Sequence, residues 1–183
     1  MGDTTRFAGE RPVLTTRRLV LRQPVDADMP AIIDTVGDLR VSRNLARVPH
    51  PYTEVDARFF LDQIAPREIV WALTLRSTTR LIGMTGLSPT EDPDEAELGY
   101  YLAVAQWGQG LATEAGRAVL DYGFGVAGFT SIVAGYFAEN PASGHVLRKL
   151  GFVETGRADR GCLATGRTEP SVELRLDASS RLC

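Results

Sequence analysis

The chain has 183 residues and a net charge of −3, which suits one domain large enough to bury a core without disulfide bonds or metal ions. No basic excess is present, so we expect no nucleic-acid partner. The two cysteines, Cys162 and Cys183, are too few for a disulfide framework. No apolar run approaches the roughly 18 residues that a membrane span needs, and no leader pattern is recognisable, so we expect a cytoplasmic protein with no membrane partner.

The apolar pattern divides the chain into a loose lead-in, one domain and a short tail (residues 1–10, 11–178 and 179–183). In chain order, strands are predicted at Leu14–Arg22, Ile69–Leu75, Leu81–Leu87, around Tyr100–Val104, and at Thr130–Phe137, Phe152–Arg157 and Ser171–Leu176. Helices are predicted from Asp26 or Asp28 to about Leu39, after a capping box of Thr53 and Asp56, from Gly110 onward, and over Asn140–Leu150. The glycine-rich segment Gly161–Gly166 is expected to be a mobile loop.

The stretch Gly99–Gly116 joins an apolar strand to the long helix through Gly108 and Gly110. A helix that begins directly after such a turn presents unpaired backbone N–H groups and the positive end of its dipole, which together favour a phosphate. The dinucleotide-binding pattern is met only loosely, because Thr113 stands where a third glycine belongs, and the lysine of a P-loop is absent. The sequence therefore predicts a phosphate site at this helix start.

This stretch also carries a resemblance to a known family. Residues Trp107–Ala112 resemble the acetyl-CoA pyrophosphate loop of the GNAT acetyltransferases, whose pattern is Gln/Arg-x-x-Gly-x-Gly/Ala. Trp107 departs from that pattern, but Trp-Gly-x-Gly-x-Ala-Thr-Glu-Ala is typical of the branch resembling ribosomal-protein N-terminal acetyltransferases. The segments Leu14–Arg22 and Asn140–Phe152 resemble the same family. The resemblance covers nearly the whole chain.

The resemblance implies the GNAT fold, an α/β arrangement in which a mixed, mostly antiparallel sheet with splayed central parallel strands is flanked by helices. It implies transfer of an acetyl group from acetyl-CoA, by direct attack of a primary amine, to a protein N-terminus or a small amine. No metal is implied, and a homodimer through an exposed strand edge is a further expectation. Two alternatives are a catalytically silent CoA-binding regulatory module and the same fold with a larger acyl donor.

The residues expected to bind the cofactor by this resemblance are Leu102, Ala103, Val104, Trp107, Gly108, Gln109, Gly110, Leu111, Ala112, Thr113, Asn140 and Ser143. The backbone N–H of Val104 is the candidate for polarising the thioester carbonyl. Asn140 has a second interpretation as a helix cap, and Ser143 has one as a solvated serine at a helix start. Ser143 or water is the candidate proton donor for the leaving sulfur, because no tyrosine follows Tyr136.

Glu97 is the first candidate for the general base, since it lies on the central strand, although an exposed glutamate at a strand start is an equally good interpretation. His50 is the second candidate, and with Tyr52 it is expected to bind the acceptor. The acceptor pocket is expected between Arg47–Tyr52 and Arg160–Thr168. His145 is expected to be structural, Cys162 has no base beside it in sequence, and the two histidines and two cysteines have no metal-ligand spacing.

Overall fold

The computed structural model describes Phe7 and residues 11–181, and it contains eight strands and five α-helices. The strands are β1 (Leu14–Thr15), β2 (Leu19–Arg22), β3 (Ile69–Leu75), β4 (Leu81–Pro89), β5 (Glu95–Leu102), β6 (Ser131–Phe137), β7 (Val153–Cys162) and β8 (Arg167–Asp177). The helices are α1 (Met29–Val36), α2 (Leu39–Ser42), α3 (Glu54–Phe59), α4 (Leu111–Gly125) and α5 (Pro141–Lys149). Short 3-10 turns flank several of these elements, and a π-helical turn, Phe60–Ile64, extends α3.

The strands form one sheet in the order β1-β2-β3-β4-β5-β6-β8-β7. Every neighbouring pair is antiparallel except β5 and β6, which run parallel. This mixed sheet with one central parallel pair is the architecture that the sequence resemblance implied. The parallel pair lies where the predicted phosphate-binding helix leaves the sheet, since α4 follows β5 in the chain.

Two apolar clusters cover opposite faces of the sheet because successive strand residues point to opposite sides. Ile69, Trp71 and Leu73 of β3 face α4 and α5, and the ring of Trp71 contacts Tyr122 of α4 edge-on with centroids 5.0 Å apart. The intervening Val70 and Ala72 face the α1–α3 side. The fold therefore has a helical layer on each side of the sheet.

Several predicted boundaries are wrong at the chain's first elements. The expected single strand Leu14–Arg22 is a hairpin, because the side-chain oxygen of Thr16 accepts from the N–H of Leu19 at 3.0 Å and turns the chain between β1 and β2. The first helix ends at Val36 rather than Leu39, and Asp38 caps the separate helix α2. The capping box of Thr53 and Asp56 is confirmed at the start of α3.

The segment Gly161–Gly166 is not a long loop. Strands β7 and β8 pair up to Cys162 and Arg167, and a tight turn containing Gly166 at φ +66° joins them. The glycine content suggested a mobile loop, whereas β7 and β8 pair with each other as far as Cys162 and Arg167, which shortens the connection between them. Of the residues expected to be a loose lead-in, Phe7 is buried against Phe129, and the others, like Leu182 and Cys183 of the expected tail, lie outside the described residues.

Candidate active site

The cleft lies where β5 and β6 stop pairing. The two strands are bonded over residues 95–97 and 131–133, after which β5 continues beside β4 to Leu102 and β6 continues beside β8 to Phe137. Residues 98–102 and 134–137 therefore face each other without ladder hydrogen bonds, and we call the space between them the cleft. The Leu102 carbonyl on this edge accepts from the indole of Trp107, and the other peptide groups of residues 98–102 and 134–137 that point into the cleft can bond a ligand that enters as an additional strand.

The N-terminus of α4 presents a row of backbone N–H groups without partners in the described structure. Gly108 and Gly110 both have φ +74°, a left-handed conformation that turns the chain from the short helical turn Val104–Gln106 into the helix. Among the described residues, no hydrogen bond uses the backbone N–H of any residue from 108 to 113. Six consecutive free donors at the positive end of a 15-residue helix favour a diphosphate.

Side chains around this loop hold its conformation. The indole N–H of Trp107 donates to the carbonyl of Leu102 at 2.9 Å, and the side-chain amide of Gln109 donates to the carbonyl of Ala105 at 3.0 Å. The guanidinium of Arg18, which is on the turn between β1 and β2, donates to the carbonyl of Gln109 at 2.9 Å. These bonds use carbonyl groups and so leave the N–H groups of the loop available.

Glu114, in the first turn of α4, connects the helix to the β1–β2 hairpin. Its Oε1 accepts from the Thr16 hydroxyl and the Arg18 backbone N–H, both at 2.7 Å, and its Oε2 accepts from Arg18 Nε at 2.7 Å. Burial alone raises the pKa of Glu114, but the hydrogen bonds from Thr16 and Arg18 outweigh it and hold the pKa below its usual value. Glu114 is therefore an ionised carboxylate that connects the start of α4 to the β1–β2 hairpin, and the sequence did not indicate this role.

The end of β5 supplies one backbone donor to the cleft. The N–H of Ala103 donates to the carbonyl of Ile82 at 2.8 Å and is therefore engaged within the protein, while the assignment of Ala103 to the cofactor stays a prediction. The N–H of Val104 has no hydrogen-bond partner among the described residues. This is the donor that the sequence singled out for the thioester oxygen.

At the start of α5, Asn140 and Ser143 are adjacent. The Asn140 side-chain oxygen accepts from the Ser143 backbone N–H at 3.3 Å and caps the helix. The Asn140 amide nitrogen makes no hydrogen bond to a described residue, so the cap leaves a donor directed elsewhere. The predicted cap is therefore present, and it does not exclude contact with a ligand.

Tyr100 of β5 reaches Ser143 from the other side of the cleft. The two hydroxyl oxygens are 2.7 Å apart, and the Tyr100 hydroxyl also donates to the Ser143 carbonyl at 3.2 Å. Burial raises the pKa of Tyr100 to about 12, although its hydrogen bond with Ser143 acts in the opposite direction. A protonated phenol therefore lies next to the predicted donor Ser143, and Tyr100 was not predicted for this role because it precedes Ser143 by 43 positions in the chain.

On the opposite face of the sheet, Glu97 is held in an ion-pair network. Its Oε1 accepts from Arg160 Nη1 at 2.6 Å, while Arg160 Nε donates to Glu173 Oε1 at 2.9 Å. The second oxygen of Glu97 accepts no hydrogen bond from a described residue. Glu97 is half-buried rather than a fully exposed strand-start residue, and one of its oxygens remains accessible to a proton.

The acceptor side of the cleft has an aromatic wall. Tyr101 of β5 and Tyr52 pack together against the apolar cluster of α1–α3. Burial raises the pKa of both, that of Tyr52 to about 12, so both are neutral phenols at physiological pH. His50 is exposed.

Of the two segments predicted to wall the acceptor pocket, Arg160–Thr168 contacts the residue that precedes Arg47–Tyr52. The N–H of Leu163, at the tip of the β7–β8 hairpin, donates to the carbonyl of Ala46 at 3.1 Å, just before Arg47. Cys162 is buried beneath this contact, with its sulfur 3.5 Å from the carbonyl of Arg43. His145 is exposed on α5.

Within Phe7 and residues 11–181, no three His, Cys, Asp or Glu residues are grouped so that they could hold a metal ion.

The same part of the chain contains no helix that is both long and apolar enough to cross a membrane.

Comparisons with known proteins assign the family. The model of the acetyltransferase (GNAT) domain matches residues 18–153. The uncharacterized N-acetyltransferase YoaA from Bacillus subtilis is 33% identical over 151 residues, which cover 79% of this chain and 85% of that protein.

Two solved structures agree with the fold. Ribosomal-protein-S5-alanine acetyltransferase from Vibrio fischeri has a TM-score of 0.78 at 19% identity and covers 91% of this chain and 97% of its own. Spermidine N-acetyltransferase from Vibrio cholerae, in complex with CoA and spermine, has a TM-score of 0.77 at 22% identity and covers 92% of this chain and 100% of its own. With the fold, the family match over three quarters of the chain and the similarity to YoaA, the chain belongs to the GNAT acetyltransferases and is an acyltransferase.

Proposed function

We propose that the protein transfers an acetyl group from acetyl-CoA to a primary amine, with the diphosphate of acetyl-CoA on the loop 107–113 and its thioester in the cleft. The observation that carries this proposal is the row of six unpaired N–H groups at the start of α4, beside the point where β5 and β6 part. The resident residues fit the cofactor, since glycines at 108 and 110 leave the backbone accessible and Asn140 has a spare amide donor.

In the proposed reaction, the nitrogen lone pair of the amine attacks the thioester carbonyl carbon while the Val104 N–H stabilises the developing negative charge on oxygen. The carbon–sulfur bond then breaks, and the acetyl group stays on nitrogen. The proton released by nitrogen goes to the free oxygen of Glu97 directly or through water. The sulfur receives a proton from the Ser143 hydroxyl, which recovers one from Tyr100.

The acceptor is an amine that reaches the cleft from the face carrying Glu97 and Tyr101. A protein N-terminus and a small amine both satisfy this chemistry, and the names of the two solved neighbours include one of each. Tyr52 and Tyr101 provide an apolar wall for the part of the acceptor next to its amine. The role of His50 as an acceptor contact stays a prediction, and so does a homodimer through an exposed strand edge.

The test is calorimetric titration of acetyl-CoA into the wild-type protein, Gly110→Trp and Gly128→Trp. The indole at position 110 fills the anion site, so we expect micromolar binding by the wild type and none by Gly110→Trp. Gly128 has φ +73° and open space around it, so Gly128→Trp carries the same backbone penalty away from the loop and should bind normally.

Absence of binding by the folded wild type, or equal loss in both variants, would contradict the proposed cofactor site. Thiol release is then measured with acetyl-CoA and succinyl-CoA in the presence of peptides and small amines. Binding without any thiol release would instead support the silent regulatory module, and a preference for succinyl-CoA would support the larger donor.

A further inference from the structure

Arg160 reaches from the outer strand β7 across the sheet to Glu97 on β5. Its guanidinium lies over Gly135 of β6, and its Nη1 donates to Glu97 Oε1 at 2.6 Å. A Cβ atom at position 135 would lie 3.0 Å from the Arg160 Cζ and 3.1 Å from its Nη2, which is closer than side chains normally pack. The absence of a side chain at Gly135 therefore makes room for this contact.

The direction of Arg160 is not set by the carboxylate directly opposite it. Glu169 is the cross-strand neighbour of Arg160 on β8, and opposite residues of two paired strands share a face of the sheet. Among the described residues, Glu169 forms no ion pair, and its Oε1 accepts from the Thr165 hydroxyl at 3.3 Å. Arg160 extends instead to Glu173, where its Nε donates to Oε1 at 2.9 Å and its Nη2 donates to Oε2. Two parallel bonds from a planar guanidinium fix its orientation as well as its place.

Glu173 is held in turn by a buried residue. The hydroxyl of Ser171, which is 1% exposed, donates to Glu173 Oε1 at 2.6 Å. Burial alone lowers the pKa of Arg160, but its hydrogen bonds to Glu173 and Glu97 outweigh burial and raise that pKa above its usual value. A continuous series of bonds therefore leads from the interior through Glu173 and a permanently charged Arg160 to Glu97.

Glu97 depends on Arg160 for its position. Within the described part of the chain, Arg160 is the one cation that forms an ion pair with Glu97. Arg47 also lies near Glu97, but it is paired with Glu68 at 2.6 Å and donates to Ser88 at 3.0 Å. Ser88 is opposite Glu97 across β4 and β5, yet its hydroxyl donates to Glu68 at 2.9 Å. Without Arg160, the long side chain of Glu97 would be free to change rotamer.

We infer that Arg160 is a positioning residue for Glu97: its guanidinium, held over Gly135 by Glu173, binds one oxygen of Glu97 and thereby fixes the other oxygen for the proton that the acceptor amine releases. This inference rests on the proposed acetyl transfer and deepens it. Once the nitrogen has bonded to the carbonyl carbon, its proton is much more acidic than that of a free ammonium group. An ionised carboxylate is then a sufficient base even beside an arginine, provided that it stays within hydrogen-bond distance of the nitrogen or of a bridging water.

The test compares kcat and KM for acetyl transfer in the wild type, Glu97→Gln, Arg160→Lys and Gly135→Val. Glu97→Gln removes the base and should lower kcat by about 10²-fold. Arg160→Lys keeps the positive charge but has no planar fork to bond two carboxylates, and Gly135→Val keeps all three charged groups but fills the place of the guanidinium. Each of these two variants should lower kcat at least about tenfold, with the dissociation constant of acetyl-CoA within about twofold of the wild type.

Matched controls on β7 make the same substitutions away from this contact. Arg157 has 77% of its side chain exposed, and a Cβ atom at Gly156 would meet nothing within 4 Å. Arg157→Lys and Gly156→Val should therefore keep kcat within about twofold of the wild type.

Double variants separate positioning from a general structural defect. In the Glu97→Gln background, Arg160→Lys and Gly135→Val should cause no further loss of kcat, because a positioning residue acts only through its partner. A structural defect would lower kcat by the same factor in both backgrounds. A crystal structure of Gly135→Val gives a readout without turnover, and it should show the Glu97 carboxylate in a new orientation without its bond to Arg160.

Full kcat in Arg160→Lys and Gly135→Val beside an impaired Glu97→Gln would overturn the inference, as would equal losses in both backgrounds. An active wild type with an unimpaired Glu97→Gln would leave acetyl transfer standing and overturn the inference together with the role of Glu97 as the base. Absence of thiol release by the wild type would contradict the proposed function, and the crystal structure would still test the position of Glu97. If Gly135→Val does not fold, Arg160→Lys and its double variant with Glu97→Gln decide the question.

Discussion

Replacing Ser143 with alanine is expected to lower kcat for acetyl transfer by about 10²-fold while leaving the dissociation constant of acetyl-CoA nearly unchanged. The physical reason is that Ser143 is the hydroxyl at the cleft with a protonated phenol 2.7 Å behind it, so it can give a proton to the leaving sulfur and regain one. Removing it leaves Tyr100 too far back, and water must then act as the donor.

Tyr100→Phe should show a smaller loss of kcat, because Ser143 remains and can exchange protons with solvent. The matched control is Tyr136→Phe, since the Tyr136 ring packs against Gly144 on the same face and its hydroxyl makes no hydrogen bond to a described residue. We expect Tyr136→Phe to keep kcat within about twofold. A large loss in Tyr136→Phe with none in Ser143→Ala would transfer the acid role to Tyr136.

The second large effect is expected from Glu114→Gln, which should weaken acetyl-CoA binding and also destabilise the fold. A glutamine has one acceptor oxygen in place of the charged pair that receives three bonds from Thr16 and Arg18, so the loop loses its connection to the β1–β2 hairpin. We expect a loss of about 2 kcal/mol in the free energy of unfolding at neutral pH. Titration with acetyl-CoA and urea unfolding measure the two effects.

The stability difference should depend on pH with a definite sign. Because the folded pKa of Glu114 lies below that of the unfolded chain, its contribution is present above the usual glutamate pKa of about 4.3 and is lost as the pH falls through the folded value. The control is Glu139→Gln, whose side chain is 76% exposed and pairs with Arg43, and which should change stability by less than about 0.5 kcal/mol. A Glu114→Gln variant with unchanged cofactor affinity would show that the hairpin does not support the loop.

Local sequence signals were sufficient for the family, for the mixed sheet and for the glycine turn that begins α4. Gly108 and Gly110 form the turn, and the helical spacing of apolar residues begins directly after them. The features that predict an anion site therefore lie within a few adjacent residues. The capping box at Thr53 was likewise readable, because both of its partners lie within one helical turn. The prediction of one strand at Leu14–Arg22 failed because the Thr16 turn that divides it interrupts no apolar pattern.

The site residues that the sequence did not indicate are placed by contacts between elements that are far apart in the chain. Arg160 and Glu97 are 63 positions apart, and their contact depends on the strand order and on the absence of a side chain at Gly135. Tyr100 could be assigned to the α4 and α5 face by alternation with Leu102, but its partner Ser143 is known only once α5 is docked. Similarly, Glu114 is part of a recognisable motif, whereas its three donors come from a hairpin almost a hundred residues earlier.

Strands β5 and β6 separate after residues 97 and 133, and this separation affects the order in which the substrates of the proposed reaction can bind. The phosphate loop and Ser143 lie on one side of the sheet, and Glu97, Arg160 and Tyr101 lie on the other. For the proposed reaction, we expect acetyl-CoA and the acceptor to enter from opposite sides of the sheet, so that both can be bound at the same time before the acetyl group is transferred.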